Sequence, residues 1–128
     1  MIEDGTDKNL MIIFNQIEKD LSRTLPKHSW FSKQGDGLKY LKNVLCAYAM
    51  HNPHVGYCQA MNFLAATFLS IMNEKDTFYL LCSIIDQVPE YYETELLGSR
   101  IDIRLLEHLM ETMLPELKEH FDKCEIDL

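Results

Sequence analysis

Two short polar segments stand out from an otherwise apolar chain. The first, Ile17-Glu18-Lys19-Asp20-Leu21-Ser22-Arg23-Thr24, places a carboxylate and a guanidinium three residues apart. On a helix those side chains share a face and can pair. The second, Gly56-Tyr57-Cys58-Gln59-Ala60-Met61-Asn62, places two amides three residues apart beside a phenol. An amide both donates and accepts hydrogen bonds, so such a pair can orient a hydroxyl or a water. Read from spacing alone, Asp20 and Arg23 form a solvated i, i+3 ion pair, contributing roughly 0.2–0.5 kcal/mol. In the same reading Gln59 and Asn62 share one face at the mouth of an apolar helix and satisfy its free backbone groups.

Other chemistries find little support. No GxxxxGKS/T loop is present, so the chain is not itself a P-loop nucleotide binder, and neither GxGxxG nor HExxH occurs. His51, His54 and Cys58 have the spacing of zinc ligands, but Pro53 and Gly56 interrupt them and no fourth ligand lies at a standard distance. The segment reads better as a helix-breaking loop with exposed histidines. Cys58 has no partner that would make it a hydrolase nucleophile.

The elements that carry these segments all read as helices. Leu10, Ile13, Phe14, Ile17 and Leu21 form one apolar stripe, with Asp7 as the expected N-cap and an end before Pro26. Residues 27–37 read as a loop anchored on the core by Trp30 and Phe31. Asp36 is the expected cap of a second helix built on Leu38, Leu41, Leu45, Tyr48 and Ala49, which breaks at His51-Asn52-Pro53-His54. Residues 55–72 then read as a helix apolar on nearly every side, buried among others. A fourth helix carries Phe78, Leu81, Cys82 and Ile85 and closes before Pro89. After a loop over 91–98, Ser99 is the expected cap of a fifth helix carrying Leu106, Leu109, Met110 and Met113. Pro115 opens a further one with Leu117 and Phe121 facing inward. The expected core includes Phe63, Leu64, Phe68, Leu81, Ile85, Leu106 and Leu109. No alternating strand pattern appears, so the fold class is all-α, with about five to seven helices.

The bulk properties narrow the partners. The chain has 128 residues, enough for one domain with its own core. Its formal charge is −8, which repels phosphate backbones and anionic lipid, so neither nucleic acid nor direct membrane insertion is expected. The longest apolar run, Phe63 to Met72, is too short to cross a bilayer. Cys46, Cys58, Cys82 and Cys124 form no CxxC pair and read as buried free thiols of a reducing compartment. With an acidic N-terminal stretch in place of a signal peptide, the expected location is intracellular.

The two polar segments, in this order and with a leucine-rich helix between them, resemble the signature of TBC domains. Ile17, Asp20, Arg23 and Thr24 match IxxDxxRT, and Leu25-Pro26 continues the match. Residues 55–65, VGYCQAMNFLA, are similar to the family's VGYCQGMNFLA and carry its YxQ as Tyr57 and Gln59. Ala60 stands where the family usually has glycine. The likeness runs from near Leu10 to the end, yet the family's C-terminal helices, with their characteristic tryptophans, have no counterpart. The expected assignment is that residues 1–128 form the N-terminal part of a TBC domain, its C-terminal half absent.

The resemblance implies a function. TBC domains activate the GTPase of Rab-type small G proteins, which hold GTP and Mg²⁺ themselves, so no cofactor of the chain's own is expected. Arg23 would stabilise charge on the phosphate oxygens and Gln59 would orient the attacking water, both in trans and from one exposed groove. Asp20, Tyr57, Thr24 and Asn62 would support them. The implied partner is a Rab-type GTPase in its GTP form, and the implied location is cytoplasmic, with recruitment to endomembranes through that partner. The rival expectation is a non-catalytic module that binds a GTPase or another partner. A truncated helical layer is further expected to leave an apolar patch that self-associates. Ala60, a better helix former than glycine, is expected in a helical conformation that leaves Gln59 usable.

Overall fold

The computed structural model describes residues 3–32, 35–93 and 96–126, with side chains from Lys8 onward. Six α-helices and two short 3-10 turns make up the described residues, and no strand occurs among them. The helices are α1 (Glu3–Leu21), α2 (Gly37–His51), α3 (Met61–Leu69), α4 (Glu74–Gln87), α5 (Leu97–Met113) and α6 (Pro115–Lys123). The turns are Ser29–Phe31 and Pro89–Tyr91.

Helix α2 is the hub, because it is apolar on more than one side. Leu41, Val44, Leu45, Tyr48 and Ala49 are all buried, and the helix packs against α1, α3, α4 and the Ser29–Phe31 turn. Each large aliphatic side chain taken from water contributes about 1.5–3 kcal/mol. Ile17 and Leu21 bring α1 onto this hub, and Leu81, Cys82 and Ile85 bring α4. Ala65 and Ala66 are wholly buried on α3, where their small side chains allow close approach to α2. Phe31 fills the core beside Trp30, which stacks on Tyr40 with ring centroids 6.0 Å apart, so these aromatics do anchor the loop.

Several expectations are corrected. Asp7 lies within α1, not at its cap. The apolar stripe marks only the part of α1 that packs, and extending an existing helix costs little. Asp36 occupies the N-cap of α2 but makes no side-chain cap bond. Asn73 instead caps α4, accepting from the Asp76 N–H at 3.0 Å. Ser99 lies inside α5, which starts at Leu97, and the Tyr91 ring rests on Gly98, where a Cβ would come within 2.7 Å of it. Cys124 is exposed, and only Cys82 of the four free thiols is fully buried.

The expected core also changes. Leu81 and Ile85 are buried and Leu64 and Phe68 partly so, but Phe63 is 45% exposed. On α3 the inward face belongs to Met61, Asn62, Ala65, Ala66 and Leu69, which turns Phe63 outward. Leu106 is 47% exposed and Leu109 42%, because α5 packs only against α6 and the Pro89–Tyr91 turn, away from the α1–α4 core. Leu117 on α6 is exposed for the same reason, while Phe121 is half-buried.

Candidate functional site

The site begins at the C-terminal end of α1. Asp20 is 3% exposed, a carboxylate almost wholly out of water, and it is held at both oxygens. Oδ1 pairs with the Arg23 guanidinium at 2.5 Å, and Oδ2 accepts from the Tyr57 hydroxyl at 2.7 Å. A buried charge is tolerated when it is paired and its lone pairs are filled. The Arg23 side chain is 56% exposed, so its guanidinium reaches solvent beyond this grip. Spacing alone makes Asp20 and Arg23 a solvated pair. Half of that pair is instead buried, because Tyr57 closes over it from 37 positions away.

A second link runs parallel to the first. Thr24 is buried and donates its hydroxyl to the Asp20 carbonyl at 2.7 Å. Its oxygen in turn accepts from the Asn62 side-chain amide at 2.7 Å. The Asn62 Oδ1 is buried without a hydrogen-bond partner, a cost the fold carries at this junction. Tyr57 and Asn62 thus bolt the second polar segment to the first, and Gln59 lies between them.

The backbone of that segment is not helical. Residues 56–60 precede α3, which starts only at Met61. Gly56 has φ +64, and a Cβ there would meet the Ile13 side chain of α1 at 2.8 Å. Glycine therefore serves both the backbone turn and the close approach to α1. Ala60 has φ 87 and ψ −20, a left-handed conformation at the N-cap of α3. The expectation of a helical Ala60 is overturned, and with it the inference from helix propensity. A left-handed cap is where glycine costs least, and Cβ crowding penalises alanine by about 1–2 kcal/mol. The turn also separates the two amides, which spacing places on one face: Gln59 is exposed and Asn62 is buried.

Electrostatics follow from this packing. Burial, and then donation to Asp20, hold the Tyr57 phenol well above its usual range, so it stays a donor. Burial also raises the Cys58 thiol, which suits an inert side chain better than a nucleophile. His54 is exposed and lies 3.8 Å from Glu93, while His51 is exposed with its ring edge-on to Phe78. No group of three metal-ligating side chains occurs among the described residues.

Arg23 and Gln59 do not line one groove, but their clefts adjoin. Arg23 lines a cleft with Ile12, Asn15, Gln16, Lys19 and Asp20 along α1. Gln59 lines another with Gln16, Val55, Tyr57, Cys58 and Tyr92, closed by Glu93 and Leu96. Gln16 belongs to both. Sequence reasoning singles out neither Gln16 nor the wall formed by Tyr92, Glu93 and Leu96. Gln16 has a signal in the sequence, since it lies four residues before Asp20, on the same helical face. The wall has none.

The sequence pattern of the family described as the Rab-GTPase-TBC domain matches residues 3–128. TBC1 domain family member 2B of Xenopus tropicalis is 43% identical over 115 residues, covering 88% of this chain and 12% of that protein. Its Homo sapiens counterpart is 40% identical over 115 residues, again 88% of this chain and 12% of the relative. A TBC domain-containing protein of Schizosaccharomyces pombe is 40% identical over 116 residues, 88% of this chain and 15% of that protein. The crystal structure of the Ypt/Rab-GAP domain of Gyp1p superposes with a TM-score of 0.73 at 22% identity, covering 89% of this chain and 44% of that one. At that identity the likeness shows the fold. The chain spans no more than 15% of the length of these curated relatives.

Proposed function

The chain belongs to the Rab-GTPase-TBC family, and from that premise we propose that it activates a Rab-type small GTPase in its GTP form, offering Arg23 and Gln59 in trans. The observation that carries this reading is the double grip of Asp20. One buried carboxylate holds the Arg23 guanidinium and the Tyr57 hydroxyl together, two residues from Gln59, and leaves the Arg23 and Gln59 side chains exposed to a partner.

The chemistry asked of these residues is modest in kind. The partner supplies GTP and Mg²⁺, and phosphoryl transfer passes through a loose transition state that gains most from positioning and charge stabilisation. Arginine is always charged and presents a planar fork of donors to the phosphate oxygens. The Gln59 amide accepts from the attacking water and donates toward the phosphate, fixing the line of attack. Asp20 and Tyr57 hold the arginine segment and the glutamine segment, and Thr24 and Asn62 lock the backbones beneath them. The chain is thus an activator and not itself a GTPase. It acts in the cytoplasm on vesicle traffic and meets endomembranes through its Rab. No helix among the described residues is long and apolar enough to cross a membrane.

The test is single-turnover GTP hydrolysis across a panel of Rab-type GTPases. Arg23→Ala removes most of the acceleration, since arginine fingers contribute about 10³–10⁵ in rate. Arg23→Lys rescues poorly, because a point charge cannot reproduce the fork. Gln59→Ala is also severely damaging, while binding to the GTP-loaded partner falls much less than hydrolysis. Near-full activity of Gln59→Ala would mean that the GTPase's own glutamine orients the water.

One observation favours the rival reading of a non-catalytic binding module. Ala60, directly beside the glutamine, holds a left-handed conformation. Binding of GTP-loaded Rab without any acceleration identifies that case. The exposed apolar residues of α5 further suit self-association of this chain.

A further inference from the structure

We propose that Gln16 is a third substrate-contacting residue, its side-chain amide lying between Arg23 and Gln59 and facing the terminal phosphate of the partner's GTP. The inference rests on the function proposed above and adds a residue to that site. Three observations carry it. Gln16 is the one residue common to the Arg23 cleft and the Gln59 cleft. If the reacting phosphate meets both Arg23 and Gln59, it lies over the ridge between the clefts, and Gln16 is on that ridge. The side chain is exposed, and among the described residues no hydrogen bond engages its amide. The Gln59 amide is in the same condition, so both are ready for a partner.

The surroundings fit an anion. Lys19 and Arg23 line the same cleft as Gln16, with Asp20 the one carboxylate among its six lining residues, and Glu93 stands at the far side of the Gln59 cleft. The Arg23 cleft thus carries a positive excess in a chain whose formal charge is −8. Gln16 is four residues before Asp20 on α1, so the helix that fixes Asp20, and through it Arg23, also fixes Gln16. An amide N–H aimed at phosphate oxygens is a neutral donor, weaker than the guanidinium but already in place. Among helix-forming residues glutamine is no better than glutamate, so helix propensity alone does not select it here.

The experiment compares Gln16→Glu and Gln16→Ala with the parent chain, using the GTP-loaded Rab-type GTPase that the chain stimulates most. Both substitutions are at an exposed helical position of similar propensity, and unchanged helix content by circular dichroism checks the fold. Gln16→Glu sets a carboxylate against the phosphate and lowers kcat/KM by about tenfold or more at low salt. The deficit shrinks toward about 0.5 M salt because added ions screen the repulsion. Gln16→Ala, which only removes the donor, lowers kcat by about three- to tenfold with little change in KM. Lys75→Gln on α4, which changes net charge by the same amount away from these clefts, leaves the rate as it was. If both Gln16 variants stay within about twofold of the parent while Arg23→Ala is inactive, Gln16 is only a solvated helix residue and the proposal is overturned. If Arg23→Ala is itself fully active, or no Rab is stimulated, the functional reading fails and takes this one with it.

Discussion

Asp20 shows what single residues contribute here. Its carboxylate is tolerated out of water only because Arg23 and Tyr57 fill both oxygens, so removing either leaves a buried acceptor short of a partner. Tyr57→Phe should therefore destabilise the chain by about 1–3 kcal/mol, readable as a lower urea midpoint. It should also slow hydrolysis, because the Gln59 segment loses its bolt to α1. A midpoint equal to that of the parent would mean that water replaces the hydroxyl at no cost. At Ala60 the expected change has the opposite sign. With φ 87 it holds a conformation that glycine adopts freely, so Ala60→Gly relieves strain. Part of that relief is offset by the greater freedom of glycine in the unfolded chain. The expected net gain is about 0.5–1 kcal/mol with an unchanged denaturant slope. Ala60→Val, branched at Cβ in the same conformation, should lose stability. Stabilisation by valine would show that the left-handed turn is absent in solution.

At the scale of the helices, α1 and α2 set the site by different means. α1 carries Gln16 and Asp20, which line the cleft beside Arg23, and α2 supplies the buried apolar face on which α1, α3 and α4 pack. Tyr48 lies on α2 near Cys82 and Asp86 of α4 and is 1% exposed, with burial pushing its phenol up to about 12 from an ordinary 10.0. A tyrosine raised in this way favours the folded state fully below its unfolded value and loses that contribution as pH rises through the folded one. The Tyr48 contribution should accordingly hold to about pH 10 and fall between there and about pH 12. Chemical denaturation at stepped pH measures this, and Tyr48→Phe should flatten the slope. A slope identical in the variant would assign the loss to other groups. The helix order is legible because apolar residues recur at helical spacing in α1, α2 and α4. The length of α3 is not. Residues 55–72 are apolar enough to continue a helix, yet Gly56 and Ala60 take positive φ where α1 and Tyr57 meet. That choice depends on packing between segments far apart in sequence, which periodicity does not report.

At the scale of the molecule, apolar surface is divided unevenly. Helices α1–α4 share one buried core, whereas α5 presents a stripe of Ile101, Leu105, Leu106, Leu109 and Met113 to solvent. A face of that size favours association in water. Sedimentation velocity over a concentration series should show reversible self-association, and Leu105→Lys combined with Leu109→Lys should weaken it. A strict monomer at the highest concentration would count against this.

The sequence by itself determined that the chain is all-helical, that its family is Rab-GTPase-TBC, and that Arg23 and Gln59 are the residues to examine. Those conclusions rest on local spacing and on short motifs, which are properties of neighbours along the chain. Only the tertiary structure decided that Asp20 is buried, that Tyr57 and Asn62 bind α1 and its C-terminal turn, that Ala60 is left-handed, and that Gln16 joins the two clefts. Each of these depends on a contact between segments tens of residues apart. Such a contact forms when α2 draws α1 and α3 together, and it leaves no period in the sequence.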